Sequence, residues 1–171
     1  MSNPEIPQDW QALLEEFERR MDAGHAMGGE EKLAKRRGQG KPNAREVIAR
    51  FVDPHSFQEL GSLVGGMSYQ GEPTAPCDGI VGGLANLDGR PIVVAVEDFT
   101  VMGGSIGHGA NAKRVRFARL AAQEKIPYIL FLDGAGYRAS NSLERHPYAP
   151  SDLVELATLS GQVPTVAVVL G

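Results

Sequence analysis

Apolar residues recur at helical spacing in the first part of the chain, among charged positions. Within residues 9–27 the apolar side chains fall on one helical face, at Trp10, Leu13, Leu14, Phe17 and Met21. This pattern predicts an amphipathic helix, and the charged segment 30–37 predicts a second, shorter one. We expect both to belong to a helical N-terminal arm over residues 1–50.

A helix start is predicted at Asn43, because Glu46 follows three residues later. Asparagine at the N-cap and glutamate at N3 can form a capping box, in which each side chain accepts a backbone N–H. The expected helix covers residues 44–51 and ends before Asp53-Pro54.

Beyond residue 76 the pattern changes to apolar runs of strand length. Four such runs are present, at residues 80–84, 91–96, 128–132 and 165–170. Asp88-Gly89 lies between the first two runs and predicts a tight hairpin. The segment 63–76, rich in glycine, serine and proline, is expected to be a loop.

Two helices are predicted between the later strands, at residues 110–124 and 150–160. The first is expected to turn Val115, Ala118, Ala121 and Ala122 inward and Arg114, Arg116 and Arg119 outward. Hairpin, helix, strand, helix, strand is an α/β order. The pattern alone leaves open a doubly wound sheet and a ββα spiral.

Composition narrows the class of protein. The 171 residues, 42% of them hydrophobic, suffice for one globular domain or part of one. A net charge of −4 argues against a nucleic-acid surface, and no apolar run approaches the roughly 20 residues of a membrane span. The start of the chain lacks a secretion signal, so we expect a cytoplasmic protein.

Metal and disulfide chemistry have little support in the sequence. The single cysteine, Cys77, allows no internal disulfide and no C-x-x-C zinc site, and is expected to be a structural thiol. The four histidines show no metal-binding spacing, so no metal site is predicted.

The first candidate site is the segment 97–107, where an apolar strand runs into a glycine turn. We expect this turn to open a helix, whose N-terminal N–H groups can hold an anion or an oxyanion. The candidate binding residues are Gly103, Gly104 and Ser105.

The second candidate site is the turn after the run 128–132. Backbone N–H groups can converge at a glycine turn, and two such donors can hold an enolate oxygen. Two other interpretations remain open. Gly134, Gly136 and Ala139 loosely match a dinucleotide-binding fingerprint, although Pro147 and Pro150 oppose a prompt helix. The turn can also serve only to reverse the chain.

Several segments together resemble a known family. They are 26–29 (AMGG), 40–48 (GKPNAREVI), 53–61 (DPHSFQELG), 78–83 (DGIVGG) and 97–107 (EDFTVMGGSIG). The last is similar to the QDFTV-x-GGS-[LI]-[SG] segment of the carboxyltransferase (beta) subunits of biotin-dependent acyl-CoA carboxylases, the propionyl-CoA carboxylase type. The resemblance follows the family's order over most of the chain.

This resemblance implies a crotonase-like (ClpP/crotonase) ββα spiral, with a partial carboxyltransferase domain over residues 51–171. It implies transfer of a carboxyl group from carboxybiotin to the α carbon of an acyl-CoA, in fatty acid metabolism. Biotin would be carried on a separate carrier domain or subunit. The expected partners are the acyl-CoA substrate, a biotin carboxylase or carrier subunit, and further copies of the chain. The sequence does not select one acyl-CoA.

The resemblance also assigns residues to roles. The family's NDSGGAR turn corresponds to residues 132–138, and its glycine pair, which holds the thioester enolate, corresponds to Ala135 and Gly136. These two are the candidate catalytic backbone donors. Gly134, Tyr137 and Arg138 are candidate substrate-binding residues, with Gly134 in place of serine and Tyr137 in place of alanine.

Two further expectations concern the whole chain. The basic set of Lys32, Lys35, Arg36, Arg37 and Lys41 is either a solvated helix face or a match for the phosphates of coenzyme A. The family's second crotonase-like domain has no counterpart here, so the resemblance implies an incomplete chain, inactive by itself. A non-catalytic assembly module and a decarboxylase subunit of the same superfamily are the alternatives.

Overall fold

The computed structural model describes residues 8–67, 73–138 and 150–170. Both helices predicted for the N-terminal arm are present, as α1 (Gln8–Ala26) and α2 (Glu30–Gly38). The predicted capping box starts α3 (Ala44–Phe51): Asn43 Oδ1 accepts Glu46 N–H at 2.9 Å, and Glu46 Oε2 accepts Asn43 N–H at 3.0 Å.

The centre of the molecule is a five-stranded mixed sheet. Its strands are β1 (Gln58–Glu59), β4 (Ile80–Leu87), β5 (Arg90–Glu97), β6 (Tyr128–Leu132) and β7 (Thr165–Val169), which lie side by side in that order. β1 and β4 are antiparallel, as are β4 and β5, whereas β5, β6 and β7 run parallel. The hairpin at Asp88-Gly89 is confirmed, with both residues at positive φ, as a type I′ turn requires.

The sheet is covered on both faces. α3 packs on one face through Val47 and Ile48, together with Val81, Val94 and Phe131. On the other face, α4 (His108–Glu124) and α5 (Asp152–Thr158) lie over the alternate sheet residues, which include Ile80, Val93 and Leu130. Burial on both faces explains why β5 and β6 read as continuous apolar runs. Residue alternation along each strand therefore divides the core into two layers.

The structure corrects the expected loop at residues 63–76, of which residues 68–72 lie outside the described ranges. Two short strands, β2 (Gly66–Met67) and β3 (Pro73–Ala75), pair antiparallel there, and a 3-10 turn follows at Pro76–Gly79. Strands this short show no alternation of apolar residues, so the sequence pattern could not reveal them. The expected helix over residues 150–160 is shorter, at Asp152–Thr158.

The expected orientation of α4 is wrong at one residue. Arg116 and Arg119 are exposed, as predicted, but Arg114 is buried, with 5% of its surface exposed. Its charge is paired with two carboxylates, which allows a guanidinium to lie in the core. Within the described ranges, no helix has the length and hydropathy needed to cross a membrane.

Candidate functional site

Two glycine turns meet at the end of the sheet. Met102–Gly104 forms a 3-10 turn after β5, with Gly103 and Gly104 at φ 65 and 64. Residues 133–138 form the second turn, after β6. Ala135 N–H donates to Gly103 O at 3.0 Å, and Ile106 N–H donates to Gly136 O at 2.8 Å. The structure therefore brings the two sequence-predicted sites together.

The contact between the turns needs glycine on both sides. A Cβ on Gly104 would lie 2.6 Å from Asp133 O and 2.9 Å from Gly134 Cα. A Cβ on Gly134 would overlap the Gly104 carbonyl oxygen and would also lie 2.7 Å from Glu97 Oε2. Real Cβ atoms do not approach this closely, so the two backbones can pack only without side chains at these positions.

The two candidate catalytic donors differ in their hydrogen bonding. Ala135 N–H is used by Gly103 O, whereas Gly136 N–H has no acceptor among the described residues. Gly136 is exposed, at φ 85, and a Cβ there would meet nothing within 4 Å. Gly136 thus leaves a backbone donor of this turn unused among the described residues.

The sequence suggested that the first glycine turn opens a helix directly, but it does not. α4 begins at His108, after Gly107 as N-cap, and Asp78 Oδ2 accepts Ala110 N–H at 2.9 Å. Asp78 is fully buried, and a Cβ on Gly107 would lie 2.5 Å from its Oδ2. The chain's own carboxylate therefore lies at the helix N-terminus, where the macrodipole favours negative charge.

Arg138 joins the second turn to the start of α4. Its Nη2 donates to Ser105 O at 3.0 Å and pairs with Asp78 Oδ1 at 2.8 Å, and its Nε donates to Ser105 Oγ at 3.2 Å. The Arg138 N–H donates to Ile106 O at 3.0 Å. Arg138 and Ser105, both expected to bind substrate, are thus also engaged with each other.

A buried network of charges supports the second turn from below. Glu97 Oε2 accepts Asp133 N–H at 2.8 Å, and Glu97 Oε1 accepts from Arg114 Nη1 at 2.8 Å. Arg114 Nε lies 2.6 Å from Asp152 Oδ2. Burial raises the pKa of Glu97 in spite of the nearby Arg114 guanidinium. The sequence pattern did not reveal this network, although Glu97 stands where the resembling family segment has glutamine.

Tyr137 adds an exposed end to this network. Its hydroxyl donates to Asp152 Oδ1, while 53% of the residue remains exposed. Partial burial, together with this hydrogen bond to a carboxylate, raises the pKa of Tyr137 to about 12. The side chain is therefore a neutral phenol at physiological pH.

A basic pocket lies beside the first turn. It has a volume of about 310 Å³ and is lined by Lys32, Lys35, Arg36, Gln39, Phe99 and Thr100. Lys32 and Lys35 are exposed, as a solvated helix face would be, but Arg36 is buried and pairs with Asp133. The description of the whole basic set as a solvated face is therefore wrong for Arg36.

The linker between α1 and α2 packs on residues 98–100, beside the basic pocket. Gly28 N–H donates to Thr100 Oγ1 at 3.0 Å, and Thr100 Oγ1 donates to Asp98 Oδ1 at 2.6 Å. A Cβ on Gly28 would overlap the Thr100 carbonyl. This contact holds the start of α2, and with it the basic pocket, against residues 98–100.

Cys77 is a buried free thiol, as expected for a structural cysteine. Its Sγ lies 3.3 Å from Ser62 O, and burial raises its pKa, so it is poorly suited to act as a nucleophile. Among the residues described, no cluster of three or more His, Cys, Asp and Glu is arranged to hold a metal ion.

Residues 35–171 match the family model of the carboxyl transferase domain. The chain is 31% identical to the methylmalonyl-CoA carboxyltransferase 12S subunit of Propionibacterium freudenreichii subsp. shermanii, over 99% of this chain and 33% of that protein. It is 33% identical to the methylmalonyl-CoA decarboxylase subunit alpha of Veillonella parvula, over 93% of this chain and 31% of that protein. It thus spans about a third of the length of these relatives.

A solved structure shares the fold. The crystal structure of transcarboxylase 12S, described as a hexamer with methylmalonyl-coenzyme A bound, superposes with a TM-score of 0.80 at 30% identity. The superposition covers 97% of this chain and 33% of that one. The expected crotonase-like carboxyltransferase fold is confirmed, and this chain belongs to the carboxyl transferase domain family.

Proposed function

We propose that this chain is the acyl-CoA-binding part of an acyl-CoA carboxylase carboxyltransferase, which transfers a carboxyl group from carboxybiotin to the α carbon of an acyl-CoA. The observation that carries this proposal is the unused Gly136 N–H. It lies on the second turn, which is fixed by backbone contacts to the first turn, Met102–Gly104. A rigid backbone donor is suited to stabilising the negative charge that develops on a thioester oxygen.

Gly136 is the principal donor in this proposal and Ala135 the second. The Ala135 N–H already donates to Gly103 O, so its service to the enolate requires a shared or exchanged hydrogen bond. The loss of one such donor typically costs about 3 kcal/mol of transition-state stabilisation. Gly136 alone can therefore supply a large part of the effect.

The remaining candidates are proposed to shape the acyl site. Gly103, Gly104 and Gly134 allow the two turns to approach. Ser105 and Arg138 fix the second turn through their mutual hydrogen bonds. Tyr137, half exposed beside Gly136, presents a neutral ring that limits the size of the acyl group.

The basic pocket is proposed to hold the phosphates of coenzyme A. Three cationic side chains line it, at Lys32, Lys35 and Arg36. Lysine and arginine are the usual partners of phosphate oxygens, through charge-assisted hydrogen bonds. The pocket also contains Phe99 and Thr100, the residues that lead into the GGS turn, so both ends of the coenzyme would meet one continuous segment.

Biotin enters this proposal as the carrier of the transferred carboxyl group. The donors of the described turn, Gly136 foremost, are assigned in this proposal to the acyl thioester, and no described residue is assigned to biotin. We therefore assign no step on biotin to this chain. We propose that biotin is carried by a partner, a biotin carboxylase or carrier subunit.

A decarboxylase of the same superfamily is the second candidate. The identity to the Veillonella decarboxylase subunit, 33%, is close to that for the transcarboxylase subunit, 31%. Both reactions pass through the same kind of thioester enolate, so the Gly136 donor serves either direction.

Association with further copies is also proposed, because Trp10, Leu13 and Phe17 leave an apolar face of α1 exposed.

The ligand class is tested by calorimetry on this chain with propionyl-CoA and with NAD⁺. We expect saturable binding of propionyl-CoA only. A double substitution Lys32→Gln and Lys35→Gln should weaken binding, whereas Lys41→Gln, at an exposed lysine outside the pocket, should not. Binding of NAD⁺ without propionyl-CoA would favour the dinucleotide fingerprint instead.

A further inference from the structure

Arg36 contacts two regions that are far apart in the sequence. Its Nη2 donates to Asp133 Oδ2, 97 residues away, and its Nε donates to Pro42 O at 2.6 Å. The guanidinium carbon also lies 5.9 Å from the centre of the Phe99 ring. Only 9% of the Arg36 side chain and 3% of the Asp133 side chain are exposed. Arg36 is therefore held in one orientation by Pro42, Phe99 and the second turn.

Asp133 is the first residue of the turn that carries Gly136. Its backbone N–H is fixed by Glu97 Oε2, which belongs to the buried network under the sheet. Its side chain is fixed by Arg36, which also lines the basic pocket. The pair Arg36–Asp133 is thus a direct link between the pocket and the turn.

The Arg36 guanidinium can bind Asp133 and an anion in the basic pocket at the same time. Nε and Nη2 are occupied by Pro42 and Asp133, and Nη1 has no acceptor among the described residues. An arginine presents its N–H groups in a planar, rigid fork, so an anion held by Nη1 fixes the direction of Nη2 as well. A lysine ammonium at this position would keep the charge but not the fork.

We propose that Arg36 is a positioning residue, which couples occupation of the basic pocket by a phosphate to the geometry of the Gly136 turn. This inference rests on the proposed binding of coenzyme A in that pocket. The phosphate end of the coenzyme would thereby use part of its binding energy to fix a backbone donor at the reacting end. Such use of remote binding energy raises the rate of the chemical step.

The coupling is measured by amide hydrogen exchange at Ala135 and Arg138, whose N–H groups bridge the two turns. For the wild-type chain we expect saturating coenzyme A to slow exchange at these amides about tenfold. Arg36→Lys should bind coenzyme A within about threefold of the wild type but lose most of this slowing. The ratio of free to bound exchange is the readout, because a purely structural defect accelerates both states and leaves the ratio unchanged.

Two further variants complete the test. Lys35→Gln removes a pocket charge without contact to Asp133, so it should weaken binding yet keep the full slowing at saturation. Asp133→Asn removes charge assistance from the same link and should reduce the slowing without weakening the pocket; it decides the matter if Arg36→Lys fails to fold. If coenzyme A slows exchange in Arg36→Lys or in Asp133→Asn as much as in the wild type, the coupling is wrong, and the proposed function is unaffected. Failure of the wild-type chain to bind coenzyme A would overturn the proposed function, and the coupling with it.

Discussion

Gly104 and Gly134 lie in backbone contact, so that a Cβ on Gly104 would come within 2.9 Å of Gly134 Cα and 2.6 Å of Asp133 O. The two belong to turns that follow adjacent strands, β5 and β6. Their contact therefore bears on the position of Gly136 relative to the first turn. Small residues at this junction therefore determine the geometry of the candidate site.

Gly104→Ala should separate the two turns. Gly103→Ala is a matched control, because Gly103 has nearly the same φ (65 against 64), but its Cβ would meet only Ala135 Cβ, at 4.0 Å. We expect Gly103→Ala to cost about 1 kcal/mol through backbone strain, and Gly104→Ala to cost about 2 kcal/mol more through the clash. Urea unfolding of both variants measures the difference. Equal losses would show that the contact has no energetic weight.

Gly136→Pro should remove the donor on which the proposed function depends. The positive φ of 85 strains any other residue, so Gly136→Ala is the control: it carries strain but keeps the N–H. Under the proposed function, we expect kcat for propionyl-CoA to fall about 10²-fold or more below that of Gly136→Ala. Equal kcat values in the two variants would contradict a role for this N–H.

The secondary structure was predictable where its signals are local. The capping box at Asn43, the hairpin at Asp88-Gly89 and the strand over residues 128–132 each depend on a few neighbouring residues, and all three are confirmed. The two glycine turns were also found from sequence, since glycine after a strand is itself a local feature. Their assigned chemical roles remain predictions.

The charged contacts were not predictable, because their partners are distant in sequence. Arg114 shares a helical stripe with Ala110, Phe117 and Ala121, so the periodicity places it inward, yet its charge favoured an outward position. Glu97 and Asp152, which make burial possible, lie on a strand and on another helix. For Arg36, the solvated-face alternative failed for the same reason. The cost of burying a guanidinium is known only when its partners are known.

Arg114→Leu should be strongly destabilising, because it leaves the buried carboxylates of Glu97 and Asp152 without their cation. Removal of one partner from a buried ion pair typically costs about 3–5 kcal/mol. Arg116→Leu, two residues along the same helix at an exposed position, should change stability by no more than about 0.5 kcal/mol. Chemical denaturation of both variants tests this contrast. A small loss in Arg114→Leu would show that the network contributes little.

Asn43→Ala should destabilise α3 by removing the capping box. The typical loss for such a cap is about 1 kcal/mol. Ser151→Ala is the matched control, since Ser151 occupies the N-cap of α5 but makes no capping hydrogen bond with its side chain. We expect its thermal unfolding midpoint to stay near that of the wild type while that of Asn43→Ala falls. Equal shifts would contradict the capping geometry.

Glu97 should make stability fall as pH rises. Burial raises its pKa above the ordinary value of 4.5, so the folded protein binds the proton more tightly than the unfolded chain does. Its contribution is therefore fully present below 4.5 and is lost as pH rises through the raised value. Glu97→Gln cannot titrate, so the unfolding free energy of the wild type relative to this variant should decrease across that range. Urea unfolding at a series of pH values gives the slope.

The matched control for this slope is Glu155→Gln, at a partly exposed glutamate whose pKa is shifted in the opposite direction. A hydrogen bond from Arg119 lowers the pKa of Glu155, so its contribution is present above 4.5 and is lost as pH falls through the lowered value. The wild type should therefore gain stability relative to Glu155→Gln as pH rises, while it loses stability relative to Glu97→Gln. Slopes of the same sign for both variants would show that Arg114, rather than burial, controls the titration of Glu97.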